Sequence, residues 1–459
     1  RVGQYDKAVQ FGLPYREHLV TTGDDRRLQR TDLRLGECYF TLAHYRPAAQ
    51  FLQRALDAQV QRPLDPVRKM DALATLATID DRLGRRDEAQ QRWRDAAAFG
   101  QSILDNHRTV LSLRDQISLG RNLARAARQT GDTRTAIEQL NVLLTSTLNH
   151  HYEKGRQQLY GELARQYVAA GDLKQAIETL EKALAVKTDN TTAAAMIRGD
   201  LLSQYSALLL RDGQADAGRA AGEQAADIYR DVMKRTADQR HDSLESLNAF
   251  WKLKDLLRQN QQYQQAVELV SEQPWSWNEE RLPANRLTSE RGALHAAVGS
   301  YDEARRFLRR ALEFRRRQQP LNLSQLPRTL NNLALVEQAT GNFAETEALC
   351  RECLGLYEEY ELPPDRDLAE TYNLLATNSA LRASYAEAVR QFRKGIEICR
   401  KCGPEADGHR GNLLLNLAKT YKSQGQFAAA IEQCEEALAI AQATGTVAAD
   451  SVSLPAVYC

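Results

Sequence analysis

Apolar residues recur at intervals of three and four along almost the whole chain, in paired stretches separated by a few polar residues. Tyr160, Leu163, Ala164 and Tyr167 form one stretch, and Ala176, Ile177, Leu180, Ala183 and Leu184 form its partner. Leu414, Leu417, Ala418 and Tyr421 repeat the first pattern, and Ala304, Phe307, Leu308, Ala311 and Leu312 the second. That spacing gathers apolar side chains on one face of an α-helix, so each pair predicts two amphipathic helices folded back as a hairpin. Between the two helices stands a short phrase: Gly, four variable residues, then Ala. It reads Gly3-Gln-Tyr5-Asp-Lys-Ala8, Gly84-Arg-Arg-Asp-Glu-Ala89, Gly131-Asp-Thr-Arg-Thr-Ala136, Gly171-Asp-Leu-Lys-Gln-Ala176, Gly299-Ser-Tyr301-Asp-Glu-Ala304 and Gly425-Gln-Phe427-Ala-Ala-Ala430. Degenerate copies place Ala43, Gly213, Gln261, Gly341 or Ala383 where the glycine stands, the last two followed by Phe343 and Tyr385. The mean spacing of these anchors is about 42 residues. A fixed period of that size marks a stack of supersecondary units.

The anchor residues have a physical reason. Glycine adopts the left-handed conformation that ends a helix without steric cost, and alanine lets two backbones approach where a larger side chain would overpack. Prolines are expected between hairpins, as at Pro320, Pro363 and Pro404, while Pro47 suits the first turn of a helix. The spacing turns irregular around Ser271-Glu-Gln-Pro274-Trp275-Ser-Trp277-Asn, which follows a short second helix. The expected organisation is a subarray over 1–270, an insertion over 271–285 and a second subarray over 286–459. Two Trp residues two apart would form either an aromatic docking point or a plug where the stack changes curvature. Both chain ends cut through a repeat, which suits a piece of something larger.

Leu35-Gly36-Glu-Cys-Tyr39 and Leu163-Ala164-Arg-Gln-Tyr167, each upstream of an anchor, resemble the tetratricopeptide repeat signature. The period, with Asn331-Asn332-Leu333-Ala334 and Asn416-Leu417-Ala418, is similar to the longer-helix repeats of kinesin light chains. The resemblance implies an all-α, right-handed superhelical solenoid of about eleven hairpins, with the first helix of each lining a concave groove that holds peptides. Arg121, Asn122, Arg125, Arg128 and Arg165 would then face the groove, followed toward the C-terminus by Asn331, Asn332, Asn373, Asn412, Asn416 and Lys419. Arg121, Arg125 and Arg128 share one helix face, and guanidinium forks suit carboxylates or phosphates. The alternative is a solvated face making ordinary ion pairs. Amides can both donate and accept, so the asparagines would either hold a peptide backbone, as the resemblance implies at Asn332 and Asn416, or tie neighbouring hairpins together. Glu162 stands where a chaperone-tail clamp needs a neutral or basic donor, so chaperone tails are not expected ligands.

Charge and candidate chemistry narrow the function classes. Lys and Arg number 61 against 60 Asp and Glu, a net charge of +1, which gives no global field for nucleic acid or an anionic membrane. No apolar run approaches the roughly 18 residues of a membrane span, and Arg1 to Lys7 lack the core of a signal peptide. Seven cysteines scattered through helices suit reduced thiols in the cytoplasm. Cys350-Arg-Glu-Cys353 and Cys399-Arg-Lys-Cys402 carry zinc-like spacing. They fall at different registers of their hairpins, about 10 Å out of step at 1.5 Å per residue, so no metal is expected. Phosphate loops, His-Glu-x-x-His, Gly-x-Ser-x-Gly and dinucleotide fingerprints are absent, and His150-His151 are poorly spaced for a helical metal pair. No cofactor is expected either.

The reading is therefore a non-enzymatic scaffold for protein–protein interaction, binding an extended and acidic peptide segment. The alternative is a sensor or regulatory arm acting on flanking domains of its own parent chain: a kinase, a caspase-like protease or an ATP-driven regulator. A receptor for a small peptide signal is a third possibility.

Overall fold

The structure, a computed structural model, describes residues 5–58, 64–107, 111–149, 152–237, 244–271, 282–403 and 406–444. Among these residues there are 21 α-helices and no strand. The chain divides into two compact units, the first holding α1 to α13 and the second α14 to α21, with the short stretches around Asp6 and Leu42 counted in the second.

In the first unit, α1 (Tyr5–Thr22) precedes the hairpins α2 (Asp25–Thr41) with α3 (Tyr45–Asp57), α4 (Pro66–Arg82) with α5 (Arg86–His107), and α6 (Leu113–Thr130) with α7 (Thr133–Asn149). The hairpins α8 (Glu153–Ala169) with α9 (Leu173–Ala185), α10 (Thr192–Arg211) with α11 (Ala215–Ala237), and α12 (Leu244–Gln259) with α13 (Tyr263–Ser271) complete it. The second unit comprises α14 (Leu282–Ala297) with α15 (Tyr301–Arg316), α16 (Leu326–Ala339) with α17 (Phe343–Glu359), α18 (Arg366–Leu381) with α19 (Tyr385–Cys402), and α20 (Asp407–Ser423) with α21 (Phe427–Thr444).

Every anchor within the described residues has positive φ: the glycines at 84, 131, 171, 213, 299, 341 and 425, and also Ala43, Gln261 and Ala383. At Gly171 the turn N–H groups close the helix end, Gly171 donating to the Val168 carbonyl at 3.1 Å and Asp172 to that of Tyr167 at 2.9 Å. Asp172 then caps α9 by accepting the Gln175 N–H. Five residues past the anchor, Ala48, Ala89, Ala136, Ala176, Ala266, Ala304, Ala388 and Ala430 are all buried, as the close approach of two helices requires. An alanine in the left-handed region is strained by about 1–2 kcal/mol, whereas glycine gives back about 0.4–1 kcal/mol through the freer unfolded chain. Ala383→Gly should therefore stabilise the second unit by roughly 0.5–1 kcal/mol, read as a shift of the denaturation midpoint; an unchanged or lowered midpoint would contradict this account of the turn.

Three expectations need comment. Pro14 lies inside α1 rather than between hairpins, the helix running through it although the ring removes one backbone donor. The short helix before the irregular segment is present, α13 having 9 residues. Trp275, Trp277 and Pro404 lie outside the described residues, as do His150 and His151.

Candidate functional site

Within each unit the first helices of successive hairpins touch: α4 with α6, α6 with α8, α8 with α10 and α10 with α12 in one, α14 with α16, α16 with α18 and α18 with α20 in the other. Second helices make no comparable contact among the described residues. First helices thus form a continuous face, on which the residues singled out by the helical register differ in exposure.

In the first unit that face carries the arginine stripe. Arg121 is half-buried, Arg125 exposed and Arg128 half-buried on α6. Glu162 of α8, itself buried, draws part of the cluster together: Arg165 Nη2 reaches its Oε2 at 2.6 Å and Arg128 Nη1 its Oε1 at 3.5 Å. Gln166 also donates to Oε1 at 3.1 Å, and Arg165 Nη1 to Gln204 at 3.1 Å. Arg121 stays outside this network. Its Nε is buried with no acceptor, and its acidity is strengthened by burial and by the like charges of Arg165 and Arg125, against the opposing pull of Glu162. The Arg125 guanidinium makes no ion pair among the described residues. Asn122 is a tie: it is buried and donates to Asp71 of α4 at 2.6 Å.

The asparagines of the second unit separate in the same way. Asn331 is buried, donating to the Asp367 carbonyl at 2.7 Å and accepting from Thr371 at 2.9 Å. Asn373 accepts from Asn416 at 3.0 Å and donates to Glu370 at 3.3 Å. Each of these amides joins one hairpin to the next, and its hydrogen-bonding capacity is partly or wholly used. Asn332 is half-buried with its amide free of hydrogen bonds among the described residues, and Asn412 and Lys419 are exposed.

Sequence reading missed two features of the face. Arg26, Arg30 and Arg34 of α2, with Arg68 of α4, line a cavity of about 430 Å³; their signal was three arginines spaced by four. A smaller cavity of about 240 Å³ is lined in part by Asp200, Tyr229 and Lys252. There Asp200 accepts from the Tyr229 hydroxyl at 2.7 Å and pairs with Lys252 at 3.1 Å.

Cys350 and Cys353 are buried at packing positions of α17, where burial pushes both thiols up to about 12. Such thiols are inert packing groups. No cluster of three or more His, Cys, Asp and Glu residues able to hold a metal occurs among the described residues, and none of the described helices is long and apolar enough to cross a membrane.

Models of the tetratricopeptide repeat match residues 159–194, 289–317, 325–401 and 411–444. No curated protein matches the chain in sequence. Among solved structures the chain is similar to the apo form of RapI, at 15% identity over 82% of this chain and 97% of that one, with a TM-score of 0.46. It is also similar to BtubC from P. vanneervenii, at 16% identity over 52% of this chain and 94% of that one, TM-score 0.39. A third likeness is a signal transduction ATPase with numerous domains from Pyrococcus horikoshii, which has a tetratricopeptide repeat sensor. It shares 15% identity over 76% of this chain and 51% of that one, TM-score 0.43.

Proposed function

We propose that this tetratricopeptide-repeat protein is a non-enzymatic scaffold whose first-helix face, around α6 and α8, holds an extended acidic segment of a partner protein. Stacked repeats of this kind serve protein–protein interaction through extended surfaces. The observation that carries the reading is the unspent donor capacity at Arg121 and Arg125. Arg121, Arg128 and Arg165 interact with the Glu162 carboxylate and Arg125 with that of Asp71, so four guanidiniums meet two acids and positive charge is left over. In the second unit, Asn332 and Lys419 are the polar groups best placed for a backbone or carboxylate contact.

The test is fluorescence anisotropy of a labelled peptide carrying several glutamates in a Gly-Ser background, with wild type against Arg121→Ala/Arg125→Ala. Hydrogen bonds to charged groups contribute about 1.5–3 kcal/mol each, so the double variant should bind at least roughly tenfold more weakly. Its circular dichroism should be unchanged, because Arg125 is exposed and the buried Arg121 Nε has no acceptor to lose. Equal affinity for the two proteins would remove the arginine stripe from the binding surface.

A further inference from the structure

We propose that the cavity between α2 and α4 is a binding site for a phosphoryl group, borne by the same partner segment that the neighbouring first-helix face holds. The proposal rests on the reading above and adds a chemical class to it.

Arg26, Arg30 and Arg34 are exposed and follow one another at intervals of four on α2, so they share one face of that helix. Arg68 faces them from the first turn of α4 across a cavity of about 430 Å³. The one carboxylate lining the cavity is already occupied by its own helix: Asp65 accepts the Arg68 N–H at 3.0 Å as the cap of α4 and pairs with Arg68 Nε at 3.2 Å. Arg68 is thereby neutralised. Arg26, Arg30 and Arg34 make no ion pair with any described residue, so three guanidiniums line one cavity in excess of the acids around them. Glu37, one turn beyond Arg34 and outside the cavity lining, offsets one of the three charges and leaves two in excess. Burial raises its carboxyl, and the charges of Arg34 and Arg68 only partly offset that effect.

The identity of the ligand follows from shape and charge. A carboxylate offers one charge and two oxygens, enough for a single guanidinium fork. A phosphomonoester carries roughly −1.5 to −2 and three acceptor oxygens, and so can engage three arginines together. A nucleotide needs a stacking surface for its base, but the lining has no aromatic residue and only Leu64 as an apolar one. Arg34 also stands nine residues before its turn residue, Ala43, as Asn122 stands before Gly131 and Glu162 before Gly171. The cavity is thus in register with the proposed peptide-binding face.

Three probes test this by anisotropy and calorimetry on the whole chain: the glutamate-bearing peptide with one phosphoserine, its unphosphorylated twin, and inorganic pyrophosphate. The phosphopeptide should bind roughly tenfold or more tighter than its twin. In Arg30→Gln/Arg34→Gln that preference should vanish while the twin binds as before. In Arg121→Ala/Arg125→Ala both peptides should weaken together with the preference intact. If the preference persists in Arg30→Gln/Arg34→Gln, or never exists and pyrophosphate does not bind, there is no phosphoryl site here. Pyrophosphate binding that depends on Arg30 and Arg34, without any preference for the phosphopeptide, overturns the partner-borne source in favour of a free phosphate. Unchanged peptide affinity in Arg121→Ala/Arg125→Ala with the phosphoserine preference retained removes the proposed function but leaves the phosphoryl site standing.

Discussion

Glu337→Ala should destabilise the second unit by about 3–5 kcal/mol, the cost of stripping one partner from a buried ion pair. The Glu337 side chain is fully buried in α16. Its carboxylate accepts from Arg305 Nε at 3.0 and 3.2 Å, from Arg309 Nη2 at 3.0 Å and from Asn342 Nδ2 at 2.6 Å. Both arginines come from α15, so this one acid clamps the α14–α15 hairpin onto the α16–α17 hairpin. Truncation leaves Arg305, mostly buried against it, without its main acceptor, although Asp302 and Thr340 still hold its Nη atoms. Replacing both Glu337 and Arg305 by methionine should recover much of the loss, because removing a buried pair together is often close to neutral. A cost below about 1 kcal/mol for Glu337→Ala would place the clamp with ordinary surface pairs.

The same carboxylate sets a pH dependence. Burial is the largest influence and pushes its pKa up, but the hydrogen bonds from Arg305 and Asn342, with the charges of Arg305 and Arg309, outweigh it and hold the group below its usual value of 4.5. A depressed folded value stabilises the protein above the unfolded carboxyl's pKa, and that stability is lost as pH falls through the folded value. Hydrogen exchange around α15 and α16 should accelerate below about pH 4.5 relative to α18 and α19, beyond the intrinsic pH effect, and Glu337→Gln should abolish the difference.

The repeat was legible because its signals are local. A helical period and a residue that must turn left-handed are written within each hairpin, and even Ala43, Gln261 and Ala383 were found by position once glycine was absent. The hairpin-joining polar contacts were less legible. Asn331 and Asn122 share the outward register of groove residues, yet their amides are spent on Asp367, Thr371 and Asp71. Whether such an amide meets a neighbour depends on residues about 35 to 50 positions away, which periodicity does not encode. The buried Lys254 shows the opposite failure. It stands seven residues before Gln261, where other hairpins have Ala77, Ala124, Ala164, Ala334 or Ala418. There it pairs with Asp255 at 2.8 Å and lies 5.2 Å from the Trp251 ring. That one departure from a small residue was visible in the sequence and marks the hairpin with the shortest second helix.

Trp93→Ala should cost the first unit about 3–5 kcal/mol, the range for truncating a large buried aromatic residue. Trp93 is 4% exposed and packs from α5 among Ala74 and Ala77 of α4, Ala96 of its own helix and Ala126 of α6. Four buried alanines, with Leu73 and Ala97 packed at the edge of the cluster, surround the indole. Once it is truncated the alanines cannot extend into the space, and the cavity left behind adds its own penalty to the lost transfer energy. Because α6 carries Arg121 and Arg125, the effect should reach the binding face: hydrogen exchange in α4 to α6 should rise, and the glutamate peptide should bind more weakly although no residue near the ligand has changed. In a stack stabilised by nearest neighbours, α10 and α11 should keep their protection. Uniform loss of protection across both units would instead show that the array unfolds as one cooperative block, and a cost near 1 kcal/mol would mean that α4, α5 and α6 close over the void.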